Sequence, residues 1–331
     1  MITVAPYINN GSTRKAWDAF AAASRNGTFL FRRDFMEYHS DRFEDASLLI
    51  YDDKKLIGLL PANRSRRDAA TVESHGGLTY GGLLLGDKAT AMLTGQMLHA
   101  AAEYYLAQGY GQLAYKPTPY IYHRQPTEEP LYWLYRAGAT LETRNVSTAV
   151  NLRDPLPLSE LRGRKCRKAQ NACLHIRREK CGALADEDYP VFWDLLTETL
   201  EQRHGVRPVH SLEEIKLLKS FFPNEIKLYT AERDGALLAG VLCFDCGNVV
   251  HAQYIAAGTE ARACGALDML LASLLQIYSD RAYFDFGISN EPDTGRINEG
   301  LIFQKEGFGG RAVCYDRYLV SLKSLVAATP K

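Results

Sequence analysis

The run "YFDFG" (Tyr283–Gly287) sets one carboxylate, Asp285, inside an apolar strand. Alternate side chains of a strand face opposite ways, so Asp285 faces away from Phe284 and Phe286. A carboxylate so placed is costly unless it is paired or faces water. The chain then turns polar for some twenty residues, with Ser289, Asn290, Glu291 and Arg296 following in quick succession. Two readings stay open: a crossing that lines a wet cleft, or a capped loop in which Asp285 binds nearby backbone N–H groups. Upstream, "HAQYIA" reads as a strand with His251, Gln253 and Ile255 on one face and Tyr254 on the other. "RHGVRPVHS" gathers Arg203, His204, Arg207 and His210 between two helical patterns. A histidine there titrates near neutral pH and can deprotonate an amine; a solvated polar loop would have the same composition. "YKPTPYIYH" offers Tyr120, Tyr122 and His123 as an aromatic, hydrogen-bonding wall, or as an aromatic core under a loop. Cys243 and Cys246 have a C-x-x-C spacing but no second Cys or His pair at zinc spacing, so no metal is expected.

The elements that must position these groups follow from periodicity. An early helix is expected over "STRKAWDAFAAAS", capped by Ser12 or Thr13. "ASLLIYDDKKLIGLLPANR" reads as a hairpin, "LTYGGLLLG" as a strand, "ATAMLTGQMLHAAAEYYLAQGY" as a long helix and "GQLAYKP" as a strand. The second half repeats this order. Two helices come first, the second with a capping box at Ser211 and Glu214. A hairpin across Asp234-Gly235 follows, then the strand with His251, a long helix over "ARACGALDMLLASLLQIYSD", and the strand with Asp285. The two series lie about 170–180 residues apart, the mark of an internal duplication. Between them "SELRGRKCRKAQNACLHIRREKCG" is a basic joint, with a helix from Ser159 that carries Arg164, Lys165 and Lys168 on one side. Such a run either holds phosphates or is a solvated face.

The duplicated order, with "SRNGTFLFRRDFMEYH", "HAQYIAAGTEARACGALDMLL" and above all "YFDFGIS…GLIFQKEGFGG", resembles the tandem GNAT proteins of the FemAB-like group over nearly the whole chain. The resemblance implies an α/β fold with mixed sheets, built as two GNAT-like lobes that share a cleft. The first lobe would span 1–155 and be completed by 312–322, the joint 156–185 and the second lobe 186–311. It implies acyl transfer to an amine by direct attack. The donor would be acyl-CoA first and aminoacyl-tRNA second, and the acceptor a small or nucleotide-linked anionic molecule such as a cell-envelope sugar or precursor. Several tRNA-using members carry a coiled-coil insertion, and this chain has no heptad run. The family's phosphate cradle falls on Arg262, Gly265 and Ala266, with Leu267 where a Gly or Ala is the pattern; the helix start there is an anion site in principle. Tyr254 would protonate the leaving group, the loop with Arg203, His204 and His210 would gate the acceptor, and Lys305, in "KEGFG", would hold an anion. The base would be His204 or Asp285. A duplicated fold with an imperfect cradle in both halves is also compatible with a non-catalytic binding module.

Bulk properties narrow the classes. The 331 residues carry 39 Lys plus Arg against 39 Asp plus Glu, which excludes a surface that is basic throughout. No apolar run approaches the roughly 20 residues of a membrane helix, and "MITVAPYINN" lacks a secretory leader's pattern. Seven cysteines in no dense framework fit reduced thiols and a cytoplasmic protein.

Overall fold

A computed structural model describes residues 1–172, 174–178, 185–291 and 294–331, except for the side chains at 178, 185–187, 203 and 204. The chain divides into two compact units, Met1–Asn145 with Cys314–Lys331, and Val146–Val313.

The first unit begins with β1 (Ile2–Pro6), α1 (Gly11–Ala23), α2 (Arg33–Glu37), β2 (Leu48–Asp52), β3 (Lys55–Leu60), β4 (Asn63–Arg64), β5 (Thr71–Glu73) and β6 (Leu84–Leu85). It continues through α3 (Ala91–Ala107), β7 (Gln112–Tyr115), α4 (Glu129–Arg136) and the start of β8 (Thr140–Asn151). β1, β2, β3 and β6 form one sheet, and β5 runs parallel to β7. The cap of α1 is Asn10, whose side chain accepts from the Thr13 N–H, rather than Ser12 or Thr13. The strand expected over "LTYGGLLLG" shrinks to Leu84–Leu85, because Gly82 (φ 85°) sits against the Tyr115 ring and breaks the extended run. The core packs Met97, Leu98, Ala101 and Tyr105 of α3 against Leu48, Ile50, Leu60 and Leu113 of the strands.

The second unit holds α5 (Glu160–Asn171), β9 (His175–Arg178), α6 (Ala185–His204), α7 (Leu212–Phe221), β10 (Ile226–Arg233), β11 (Ala236–Asp245) and β12 (Val249–Ala257). Then come α8 (Thr259–Cys264), α9 (Ala266–Ile277), β13 (Tyr283–Ile288) and α10 (Glu299–Glu306); β14 (Arg311–Ser321) and α11 (Leu322–Ala328) close the chain. From Cys314 on the chain belongs to the first unit, where β14 pairs with β7. The expected capping box is present at Ser211 and Glu214, and the β10–β11 turn uses left-handed Asp234 and Gly235. β8, β13, β12, β11, β10 and β9 are neighbours in that order, antiparallel except for β12 and β13. Leu270, Leu271 and Leu274 of α9 are buried against this sheet, each worth about 1.5–3 kcal/mol. The long helix expected from Ala261 is two helices. Gly265, at φ 86°, ends α8 and starts α9, and a Cβ there would lie 2.4 Å from the Lys165 carbonyl oxygen. α5 therefore lies directly on the break.

Candidate active site

β12 and β13 pair only through Val249–Tyr283, Val250–Phe284 and His251–Asp285. Two irregularities then part them. The β11–β12 register slips where Leu242 faces Tyr254 and Cys243 faces Ala252, which leaves Gln253 as the bulged residue. On β13, Gly287 takes φ 78° and the pairing to β8 slips between Asp285 and Ile288. The bulge also corrects the alternation read from sequence. Ala252, Ile255 and Ala257 pack into the α9-side core, whereas Tyr254 packs edge-on against Trp193 of α6. His251 and Tyr254 therefore share a face, and Ile255 lies on the other.

At the last paired position Asp285, fully buried, accepts from Ser147 Oγ (2.5 Å), the Gly287 N–H (3.0 Å) and His251 Nδ1 (3.1 Å). A carboxylate only accepts, so Nδ1 carries the proton of this hydrogen bond. The Gly287 Cα lies beside that ring, and a Cβ would come within 3.2 Å of Cε1. Lys305, at the end of α10, reaches back under the bend. Its Nζ donates to Gly287 O (2.7 Å), Ile288 O (2.9 Å) and Ser289 Oγ (2.9 Å). Burial lowers its pKa to about 8, against the pull of the Asp285 charge. An ammonium has three donors, and all three are engaged inside the protein. Lys305 thus ties β13 to α10 and, in this arrangement, has no donor left for a substrate anion.

The Tyr254 hydroxyl accepts from the His210 N–H (3.1 Å) and lies 2.7 Å from His210 Nδ1. Burial raises the Tyr254 pKa, which keeps it a proton donor at neutral pH. The structure thus brings His210 and Tyr254, two separate candidates from the sequence, into contact. Arg203 and His204 end α6, and their side chains lie outside the described residues. The crossing loop ties itself rather than presenting its polar groups. Ser289 is fully buried against Lys305, and Asn290 bonds the Val146 N–H and Gly295 O. Glu291 accepts from Asn298 Nδ2, and only Arg296 of the four is exposed. In the first unit Tyr122 is core, its hydroxyl 3.0 Å from that of Tyr315, and His123 Nε2 lies 2.9 Å from Thr118 O. Tyr120 is exposed.

A cavity of about 280 Å³ opens on the α9 side of the parted strands. Ile255, Leu267, Leu271, Phe286 and Phe308 line its apolar part; Arg162, Lys165, Arg262, Asp268 and Lys305 line the rest. Arg162 is buried and holds Asp268 at 2.5 Å, with Lys165 at 3.7 Å. Arg162 of the basic joint is thus held in an internal ion pair, whereas Arg164, Arg167 and Lys168 are exposed, as a solvated face would be. The cradle assigned to Gly265 and Ala266 is also corrected. Ala266 is fully buried and Gly265 is covered by the α5 backbone, so of the three only Arg262 faces the cavity. Among the described residues no group of three or more His, Cys, Asp or Glu side chains is placed to hold a metal ion, and no helix is long and apolar enough to cross a membrane.

Residues 162–293 match the family model of the acetyltransferase (GNAT) domain. The solved structure of FemX superposes over 98% of this chain and 99% of its own, with a TM-score of 0.68 and 12% identity. The chain has the tandem GNAT, FemAB-like fold. Two other solved structures superpose over most of the chain. L-PGS from Bacillus licheniformis gives a TM-score of 0.57 at 12% identity, over 95% of this chain and 93% of its own. The tandem GNAT protein from the clavulanic acid biosynthesis pathway gives 0.52 at 13%, over 97% and 99%. No curated protein matches the sequence. In this tandem GNAT chain the group missed from sequence is the pairing of His251 with Asp285, buttressed by Ser147. A signal was present. Each is the third residue of its strand, and strands that run parallel from a common start bring third residues side by side.

Proposed function

We propose that the second unit moves an acyl group to an amine by direct attack, with His251 as the base and Asp285 as the group that orients it. The observation that carries this reading is the buried Asp285–His251 pair at the point where β12 and β13 part. The amine nitrogen attacks the donor carbonyl carbon and a C–N bond forms. His251 Nε2 takes the amine proton. The tetrahedral intermediate collapses, the bond from carbon to the leaving sulfur or oxygen breaks, and the Tyr254 hydroxyl protonates the leaving group. The donor's reactive end enters through the α9-side cavity, with Arg262 and Lys165 toward its phosphates. The acceptor is an anionic amine, such as an envelope sugar or precursor, and the reaction is cytoplasmic.

Acyl-CoA is the donor that the acetyltransferase domain suggests. One observation favours the second reading, an aminoacyl-tRNA donor. α5 covers Gly265, and Ala266 is fully buried, where a CoA pyrophosphate would need open backbone N–H groups. The test is donor consumption by the purified protein with acetyl-CoA or with aminoacyl-tRNA, each with amino-sugar and peptidoglycan-precursor acceptors. Turnover that His251→Ala abolishes supports the reading. Donor binding without turnover under every pairing would instead make the protein a binding module.

A further inference from the structure

The first unit carries a groove of about 430 Å³, within the roughly 300–1,000 Å³ range of small-molecule sites. The mechanism above makes no use of it. It lies where the C-terminal end of α3 meets the ends of β1 and β4. Three tyrosines pack edge-on there, Tyr104 on Tyr105 at 5.9 Å and Tyr105 on Tyr110 at 5.8 Å between ring centroids. Tyr105 is the fixed member, fully buried with its hydroxyl on Ala46 O. Tyr104 and Tyr110 are half-buried, and their hydroxyls have no hydrogen-bond partner among the described residues. Arg64, Glu44 and Gln108 are among the other lining residues, and all three are exposed.

The charges decide the ligand class. Arg64 stands 3.7 Å from Glu44, so the two offset each other. Asp45, also on the wall, is already engaged by Arg33 and the Ser47 N–H. The groove therefore has no strong net charge to attract an ion. It offers flat groups with both donors and acceptors: a guanidinium, a carboxylate, a primary amide and two phenol hydroxyls. Beside them are aromatic rings with an apolar body and a polar tip. A ligand that matches is neutral, has an apolar C–H face for a ring, and has a rim of hydroxyls that both donate and accept. We propose that this groove is a carbohydrate-binding site, with Tyr104 and Tyr110 as its platforms and Arg64, Glu44 and Gln108 as the groups that bond the hydroxyls.

The site needs no catalysis, so it stands or falls apart from the transferase reading. The test is saturation-transfer NMR on the full chain with glucose, N-acetylglucosamine and their disaccharides, and with glycine, lysine and choline as charged probes. The expected result is transfer to the C–H protons of at least one sugar. Tyr104→Ala or Tyr110→Ala should weaken it tenfold or more, Tyr110→Phe less, with unfolding midpoints near the parent's. Arg64→Ala, at an exposed side chain, should weaken it without touching the rings. Transfer to no sugar, transfer only to charged probes, or sugar transfer unchanged in the Tyr104→Ala/Tyr110→Ala and Arg64→Ala variants would each overturn the proposal.

Discussion

His251 Nδ1 lies 3.1 Å from a carboxylate, Asp285, that has no exposure to solvent. The pair spans two parallel strands at their last point of contact. The Asp285 oxygens are occupied by Ser147, Gly287 and the imidazole, which is why His251 rather than Asp285 is proposed as the base. In the proposed mechanism Asp285 acts at one remove, by fixing the tautomer.

His251→Ala should lower kcat by about 10²–10⁴, the usual contribution of a general base. Asp285→Asn should lower kcat with little change in KM, since an amide can donate to Nδ1 and hold the ring in the other tautomer. Single-turnover and steady-state rates of His251→Ala against the parent check this, and a kcat within a few-fold of the parent's would assign the base elsewhere.

Lys305→Met strands two carbonyls and a hydroxyl in a buried place. Each unsatisfied group costs about 1–3 kcal/mol, so urea unfolding should register a clear loss of stability. Ser289→Ala, which removes one of the three acceptors, should cost less.

The same lysine makes a pH prediction. Its folded pKa is about 8 against an ordinary 10.5. Between those values the unfolded chain binds the proton and the folded chain does not, so this group's contribution to stability rises with pH across that window and is flat below it. Near pH 9 the wild type should take up about one proton more on unfolding than Lys305→Met. Calorimetry in buffers of different ionisation enthalpy reads this directly, and equal uptake would refute the shift.

Arg162→Met or Asp268→Asn alone should destabilise by about 3–5 kcal/mol, because each leaves a buried charge or its partner alone. The double variant Arg162→Met/Asp268→Asn, which leaves neither buried charge, should recover most of that. A double-mutant cycle with strictly additive losses would show that the pair is not coupled.

Gly265→Ala meets both a left-handed backbone and the Lys165 carbonyl. It should cost more than the ~1–2 kcal/mol of a left-handed alanine alone and shift α5. An increased KM for the donor alongside would support the α9-side cavity as its entry.

Much was legible in the sequence because it depends on neighbours along the chain. The capping box at Ser211 and Glu214, the left-handed turn at Asp234-Gly235 and the duplicated order of elements all follow from local chemistry. So did the significance of Asp285, because a carboxylate between two phenylalanines of a strand demands a partner. What stayed hidden was non-local. The bulge at Gln253 moves Tyr254 onto the face of His251, and a one-residue slip inverts every side chain beyond it. Lys305, expected from the resemblance to hold an anion, is instead enclosed by three acceptors from the bend after β13. Gly265 reads as a phosphate cradle, yet the backbone of α5, about a hundred residues earlier in the chain, occupies that space. The sequence by itself determined which elements form and which residues are chemically unusual. The tertiary structure decided which of those residues meet, because strand register and helix docking are set by distant partners and not by local preference.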